Sequence, residues 1–187
     1  MVSAIDIQAH FSSHYKPRTL VNAAQADLTV AFALDYDSPG ERLTRKAASE
    51  RYAAIPLGAD PLESARALYR HLRANQVRRL NVAGNGLSTL SRHGWTQART
   101  EDWLYEVLAK AALHWPLEVV RSGGQTGVDI AALSAAHALS IPVVGLLPKG
   151  FRQRLATGED VTQSASVIRE QIITGARRLQ RSQAREC

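Results

Sequence analysis

The chain has 187 residues, of which 45% are hydrophobic and 21% charged. This length and composition are ordinary for a single globular domain with its own core. No apolar run approaches the roughly 20 residues needed to cross a bilayer, so no membrane partner is expected. The first residues lack the basic and apolar regions of a secretory signal, and Cys187 is the only cysteine. The sequence therefore excludes a disulfide framework and predicts a cytoplasmic protein.

Strand-like and helix-like segments alternate along the chain. Short apolar runs predict strands at 28–34, 52–57, 79–83, 117–121 and 141–147. Amphipathic or capped stretches predict helices at 41–50, 61–75, 100–114, 128–139 and 160–180. This alternation is typical of a parallel sheet covered on both faces. We therefore expect the α/β class, with residues 1–187 forming a single Rossmann-like domain around a mostly parallel sheet of about five strands flanked by helices.

The charge balance raises the question of a nucleic-acid partner, because 23 Lys and Arg residues against 17 Asp and Glu residues give +6. Two groups of arginines follow the predicted helices at 61–75 and 160–180. No aromatic residues alternate with these arginines to form a surface on which bases would stack. The pattern favours solvated helix faces, so nucleic acid is not the expected partner.

The segment from Gly86 to Arg99 is predicted to be a long irregular connection, because a clear helix start comes only at Thr100. Connections of this length are uncommon in compact domains and often act as lids. The segment contains His93 and Trp95, which could stack on a base. Trp95 could equally anchor the segment to the core, and the sequence leaves both interpretations open.

Polar and glycine residues follow four of the five predicted strands. Ligands of open α/β sheets bind at the carboxyl ends of the strands, so these residues are expected to meet in one crevice. The candidate ligand-binding residues outside the fourth exit are Asp35, Ser38, Gly40, Glu41, Thr44, Gly84, Asn85, Gly86, Lys149 and Gly150.

The fourth exit is the most informative, because a glycine-rich turn connects a predicted strand to a predicted helix. Its candidate residues are Ser122, Gly123, Gly124, Gln125, Thr126 and Gly127. Bare backbone amides at the positive end of a helix form a pocket suited to phosphate. We expect Gly123, Gly124, Gly127, Thr126 and Lys149 to hold such a group. Asp129 or Asn85 would contact a sugar, although Asp129 could instead cap its helix.

Metal and nucleophile signatures are weak. The six histidines are scattered, with no cysteine partners, so no metal site is predicted. The chain contains neither a Walker A motif nor a Gly-x-Ser-x-Gly elbow, which argues against P-loop hydrolysis and covalent catalysis.

Residues 122–129, 131–133, 141–142 and 148–150 resemble the molybdenum-cofactor carrier family. That family belongs to the SLOG superfamily of Rossmann-like proteins, which includes the lysine-decarboxylase-like (LOG) phosphoribohydrolases. A second, fainter resemblance covers residues 26–32 and 38–44. In the carrier family, similar segments follow the Pro-Lys-Gly segment, whereas here they precede it. The motif order therefore resembles a circular permutation, which a sheet with neighbouring termini can accommodate.

The resemblance implies nucleotide binding more than nucleotide cleavage. The superfamily's hydrolases have a Gly-Gly-x-Gly-Thr-x-x-Glu motif whose Glu is catalytic. This chain has an extra residue between the glycines, and Asp129 stands in place of the Glu. If the chain is an enzyme, the candidate catalytic residues are Asp129 and Arg121, which immediately precedes the motif. The sequence offers no thiolate site for molybdenum.

The predicted function is binding of a nucleotide or nucleotide-derived ligand, as a carrier or sensor, with phosphate on the glycine-rich turn. One alternative is an N-glycosidic (phosphoribo)hydrolase acting on nucleotides, in which Asp129 activates water and residues 86–99 exclude solvent. A further alternative is a nucleic-acid-binding protein. No cofactor besides the nucleotide-like ligand is predicted. The apolar helix faces are compatible with a homo-oligomer.

Overall fold

Six parallel strands form the central sheet in a computed structural model of the chain, which describes residues 3–186; Cys187 lies outside the described residues. In chain order the strands are β1 (Ile5–Ala9), β2 (Leu28–Ala33), β3 (Tyr52–Pro56), β4 (Arg79–Gly84), β5 (Val119–Ser122) and β6 (Val143–Leu147). They lie side by side in the order β1-β6-β5-β4-β2-β3. A short antiparallel pair, β7 (Gln153–Arg154) and β8 (Asp160–Val161), forms a separate hairpin.

Helices cover the sheet on both faces. They are α1 (Tyr15–Ala24), α2 (Pro39–Ala48), α3 (Pro61–Ala74), α4 (Leu87–Leu90), α5 (Gln97–Ala112), α6 (Val128–Ala138) and α7 (Ala165–Glu186). Helix α1 packs against α2, whereas α3, α5, α6 and α7 pack against one another in that order. The predicted α/β class and parallel sheet are confirmed.

The central strands are mostly apolar because helices bury both of their faces. All six residues of β2 are buried, and Val30 and Phe32 are fully inaccessible to solvent. In β4, Leu80 and Val82 are equally inaccessible. This burial explains why the five apolar runs of the sequence all form strands.

The order in which successive strands join the sheet reverses at β2, while all of its strands stay parallel. Strand β3 lies outside β2 at one edge, and β4 then returns to the other side of β2. In open α/β sheets, ligands bind beyond the carboxyl ends of the strands at such a reversal. The topology therefore places the crevice beyond Ala33 and Gly84, the last residues of β2 and β4.

The N-terminal strand and helix are absent from the sequence prediction. Strand β1 lies at the edge of the sheet, beside β6, and its exposed positions alternate with half-buried ones. Its sequence therefore lacks the continuous apolar run that marks the other strands. Helix α1 carries Pro17, and it has no acidic residue in its first turn. Because of these features the sequence did not predict α1, which contributes four side chains to the site described below.

The segment 86–99 is not an irregular loop, which corrects the prediction. It forms α4, a 3-10 turn at Ser91–His93 and the start of α5. Thr96 rather than Thr100 caps α5, because its hydroxyl accepts a hydrogen bond from the Arg99 backbone N–H at 3.1 Å. Trp95 is buried and packs against Gly58, so it anchors the segment to the core.

Within residues 3–186, no helix is long and apolar enough to cross a membrane.

Candidate functional site

A cavity of about 430 Å³ lies at the carboxyl ends of β2 and β4, between α1, α2 and the glycine-rich turn. Ten of the sequence-predicted site residues line it: Ser38, Gly40, Glu41, Thr44, Gly84, Asn85, Gly86, Gly123, Gln125 and Asp129. The reversal of the sheet thus brings together residues from three separate strand exits. The remaining predicted residues, which are Asp35, Arg121, Ser122, Gly124, Thr126, Gly127, Lys149 and Gly150, are not part of the lining.

Eleven lining residues were not predicted as site residues, and five of them come from elements outside the predicted strand exits. Helix α1 contributes Tyr15, Arg18, Thr19 and Asn22, and the β7–β8 hairpin contributes Arg154. All five come from elements whose sequences carry no glycine-rich motif. The other six are Pro39, Leu43, Asn81, Ala83, Ser88 and Thr89. The one sequence signal that bears on the first five is the Gly-Gly pair at the turn, because paired glycines mark a place where another group approaches the backbone closely.

Arg18 makes that close approach. Its Nη1 atom lies 3.5 Å from Oδ2 of Asp129. A Cβ atom at Gly123 would overlap the Arg18 guanidinium and would also lie 2.6 Å from Asp129 Oδ2. Only glycine at position 123 therefore allows the buried ion pair to form against the turn. Burial raises the pKa of Asp129, and the neighbouring Arg18 opposes that shift.

Glu41 is the second buried carboxyl group in the cavity. It lies in the first turn of α2, where the Ser38 hydroxyl caps the helix by accepting a hydrogen bond from the Glu41 backbone N–H at 3.4 Å. Only 3% of Glu41 is exposed, and its Oε2 atom has no hydrogen-bond partner. Burial, with the nearby charges of Asp129 and Asp35, raises the pKa of Glu41 to about 8. Glu41 is therefore protonated at neutral pH.

Two backbone amides of the glycine-rich turn already have protein partners. Gln125 N–H donates to Asp129 Oδ2 at 3.2 Å, and Gly127 N–H donates to the Gln97 side chain at 2.7 Å. The Thr126 hydroxyl donates to the Arg154 carbonyl. Asp129 thus accepts a hydrogen bond from the turn before α6, whose N-cap is Gly127, so Asp129 does not itself cap the helix. Of the groups expected to hold phosphate, the Gly127 amide and the Thr126 hydroxyl are therefore bonded within the protein.

Asn85 joins the exits of β2 and β4. Its Oδ1 atom accepts hydrogen bonds from the backbone N–H groups of Leu34 at 2.8 Å and Asp35 at 3.0 Å. Its Nδ2 group donates to the Asp35 carbonyl at 2.9 Å. Asn85 therefore fixes the chain that leads into α2, and its amide is occupied by this structural role.

Three further predicted residues lie away from the cavity. The Arg121 guanidinium donates to the side chain of Gln25 at the end of α1, which points it away from the cavity. The Ser122 hydroxyl is buried and donates to the Val82 carbonyl at 2.7 Å. Lys149 is exposed, and only its backbone N–H is tied down, by the Ser12 carbonyl at 2.9 Å.

Glycine is required at position 127 because the turn after β5 lies against the backbone after β4 there. Its φ is +96°, and a Cβ atom there would lie 2.6 Å from the Asn85 carbonyl oxygen and from the Leu87 backbone nitrogen. We expect Gly127→Ala to lower the free energy of unfolding by about 3 kcal/mol or more, because backbone atoms must move as well as φ. Gly158 has φ +91° but open space around it. Gly158→Ala should therefore cost only about 1 kcal/mol of strain.

Chemical denaturation of the two variants measures this difference. Equal losses of stability would mean that the positive φ, and not the crowding between Asn85 and Leu87, determines the requirement for glycine.

Several buried polar atoms in the cavity have no hydrogen-bond partner among residues 3–186. They are both side-chain amide atoms of Asn22, the Nε of Arg18 and the Oε2 of Glu41. Asn22 is only 2% exposed. Buried polar groups are normally paired, so such a cluster indicates a binding site for a polar molecule. No group of three or more His, Cys, Asp or Glu residues in the described chain could hold a metal ion.

A comparison with protein families finds one matching model, which is described as the circularly permutated YpsA SLOG family and matches residues 3–108 and 120–165. A search of curated proteins finds no match. The family match confirms the SLOG superfamily predicted from the sequence, with its permuted motif order. Both matched segments contribute walls of the cavity, since Glu41 lies in the first and Asp129 in the second. The chain therefore belongs to the circularly permutated YpsA SLOG family.

Proposed function

We propose that the protein binds a nucleotide or a nucleotide-derived small molecule in this cavity, as a carrier or sensor. Membership of the SLOG family is consistent with a ligand of this class. The position of the cavity at the reversal of a parallel sheet supports the same class. Its volume of about 430 Å³ lies within the range of small-molecule sites, about 300–1,000 Å³.

The observation that carries the proposal is the unpaired side-chain amide of Asn22. An amide offers two donors and an acceptor, and this one is buried with neither atom satisfied. Leaving such a group without partners costs about 1–3 kcal/mol, so its presence needs a compensating role. A ligand with adjacent donor and acceptor groups, such as a base edge or a carboxamide, supplies that compensation.

The two carboxyl groups suit the sugar of such a ligand. Protonated Glu41 donates a hydrogen bond, whereas the Asp129 carboxylate accepts one. Each hydroxyl of a ribose both donates and accepts, so a donating Glu41 and an Asp129 paired with Arg18 can together bind a diol.

Incubated with a mixed pool of nucleotides and dinucleotides, the protein is expected to retain one compound stoichiometrically after gel filtration, as detected by mass spectrometry. The Asp102→Asn variant, in which an exposed carboxylate outside the cavity is removed, should retain it equally. The Asp129→Asn variant should lose it. Equal retention by both variants, or no retention by the native chain, contradicts the proposal.

Hydrolysis of an N-glycosidic bond is a second candidate, favoured by the different environments of the two carboxyl groups. Glu41 holds a proton at neutral pH that could pass to the departing base, while Asp129, paired with Arg18, could stabilise the ribosyl cation. Water then adds its hydroxyl to the sugar, and its remaining proton returns to a carboxylate. Free base in large molar excess over the native protein, absent with Asp129→Asn, would establish turnover; retention without release would leave a carrier or sensor.

A further inference from the structure

Three arginines surround Tyr15 at the rim of the cavity. The guanidinium carbons of Arg18, Arg152 and Arg154 lie 5.7, 5.8 and 5.7 Å from the centre of the Tyr15 ring. Tyr15, Arg18 and Arg154 also line the cavity. Arg154, in β7, and Arg152, which directly precedes that strand, are about half-exposed.

Both hairpin arginines pair with a single carboxylate, that of Asp160. Asp160 accepts hydrogen bonds from Arg152 Nη2 at 2.5 Å, Arg154 Nε at 2.8 Å and the Tyr15 hydroxyl at 3.0 Å. These contacts, first of all the bond from Arg154, hold the pKa of Asp160 well below its usual range. Two guanidinium groups facing one carboxylate leave one positive charge in excess beside the cavity. An anionic group of a ligand would balance it.

The hairpin is fixed to the glycine-rich turn. Gln125 Nε2 donates to the Arg152 carbonyl at 2.8 Å, and Arg154 N–H donates to Gln125 Oε1 at 2.8 Å. The Thr126 hydroxyl donates to the Arg154 carbonyl. The backbone carrying both arginines is therefore held beside the cavity before any ligand arrives, which lowers the entropic cost of binding through them.

We propose that a phosphoryl group of the ligand binds to Arg154 and Arg152 at this rim. The assignment rests on the proposed function. The turn amides of Gln125 and Gly127 are occupied by Asp129 and Gln97, whereas the two arginines share one carboxylate and keep a positive charge for the ligand. The buried unpaired atoms of Asn22 and Glu41 lie in the same cavity and take the uncharged part of the ligand.

The test compares nucleoside 5′-monophosphates with the nucleosides that lack the phosphoryl group, by titration calorimetry. The native protein is expected to bind the best monophosphate more tightly than its nucleoside by about 10- to 100-fold, the range of a charge-assisted contact. In Arg154→Gln this ratio should fall close to one, with nucleoside affinity unchanged. The side chain of Arg154 bonds only to Asp160 among the described residues, so its loss leaves the backbone contacts of the hairpin in place.

Arg79→Gln is the matched control. Arg79 is also an ion-paired arginine, bonded to Asp27, but it lies at the opposite end of β4 from the cavity. This variant removes the same charge and should keep the native ratio. A ratio that survives in Arg154→Gln, or a native protein that binds both compounds equally, overturns the phosphoryl site alone. A native protein that binds none of these compounds overturns the proposed function and the phosphoryl site with it.

Discussion

Replacing Asn22 with Leu is expected to stabilise the protein and to abolish ligand binding at the same time. Among the described residues the buried Asn22 amide in α1 has no partner, and a buried polar group left unpaired costs about 1–3 kcal/mol. Leucine has a similar size and a better helix propensity, so it should recover most of that free energy. The ligand would in turn leave its own polar group unpaired against leucine, which should weaken binding by about 100-fold or more.

Ser64→Ala is the control for this experiment. The Ser64 hydroxyl is also buried without a partner, but it lies in α3 and does not line the cavity. Its removal should leave ligand retention unchanged. Urea denaturation and equilibrium dialysis measure the two effects separately. A loss of stability in Asn22→Leu would mean that Asn22 serves the packing of α1, and the case for a ligand at this position would fail.

The strands could be predicted well because burial on both faces leaves a mark in the sequence. Strand β2 is apolar except for Thr29, and β4 carries buried Leu80 and Val82; each was predicted to within a residue of its observed end. Edge strand β1 packs on one neighbour and exposes polar side chains, so it resembles a surface segment. Strand β1 was not predicted for this reason, so the sequence indicated five strands in the sheet where the structure has six.

Some residues of the candidate site could be predicted from the sequence, and others could not. Glu41, Gly84 and Asp129 belong to the exits of strands whose order a βαβ pattern implies, so their meeting could be expected. Arg18 and Asn22 reach the cavity only because β1 pairs with β6 and thereby brings α1 against α2. That pairing joins residues far apart in the sequence, and no local pattern encodes it. The same limit applies to Arg121, whose proximity to the motif suggested a role but whose side chain turns toward Gln25.

The turn amides show a further limit of the sequence. Glycines before a helix predict free amides, but the Gln125 amide donates to the carboxylate of Asp129, four residues later. The Gly127 amide donates to Gln97, which lies 30 residues earlier in the chain. The partner of the Gly127 amide could not be predicted from the sequence around the turn.

Glu41→Gln is expected to change the pH dependence of stability strongly. The pKa of Glu41 is about 8 in the folded protein, whereas an unfolded glutamate titrates near its ordinary value of about 4.3. Between these values the folded state binds a proton that the unfolded state has lost. Stability therefore falls as pH rises through this window, by up to about 1.4 kcal/mol per pH unit.

Glutamine has the same shape and no proton to lose, so Glu41→Gln should match the native protein at pH 5 and exceed it at pH 9, by on the order of 4 kcal/mol. Burial also raises the pKa of Asp129, which adds a slope of the same sign in both proteins. Glu63→Gln, at an exposed glutamate paired with Arg66, should show no such gain. Denaturation midpoints from pH 5 to pH 9 measure the effect. Parallel curves for native and Glu41→Gln proteins would mean that Glu41 is ionised in the fold, and a proton-donating role toward a ligand would then be excluded.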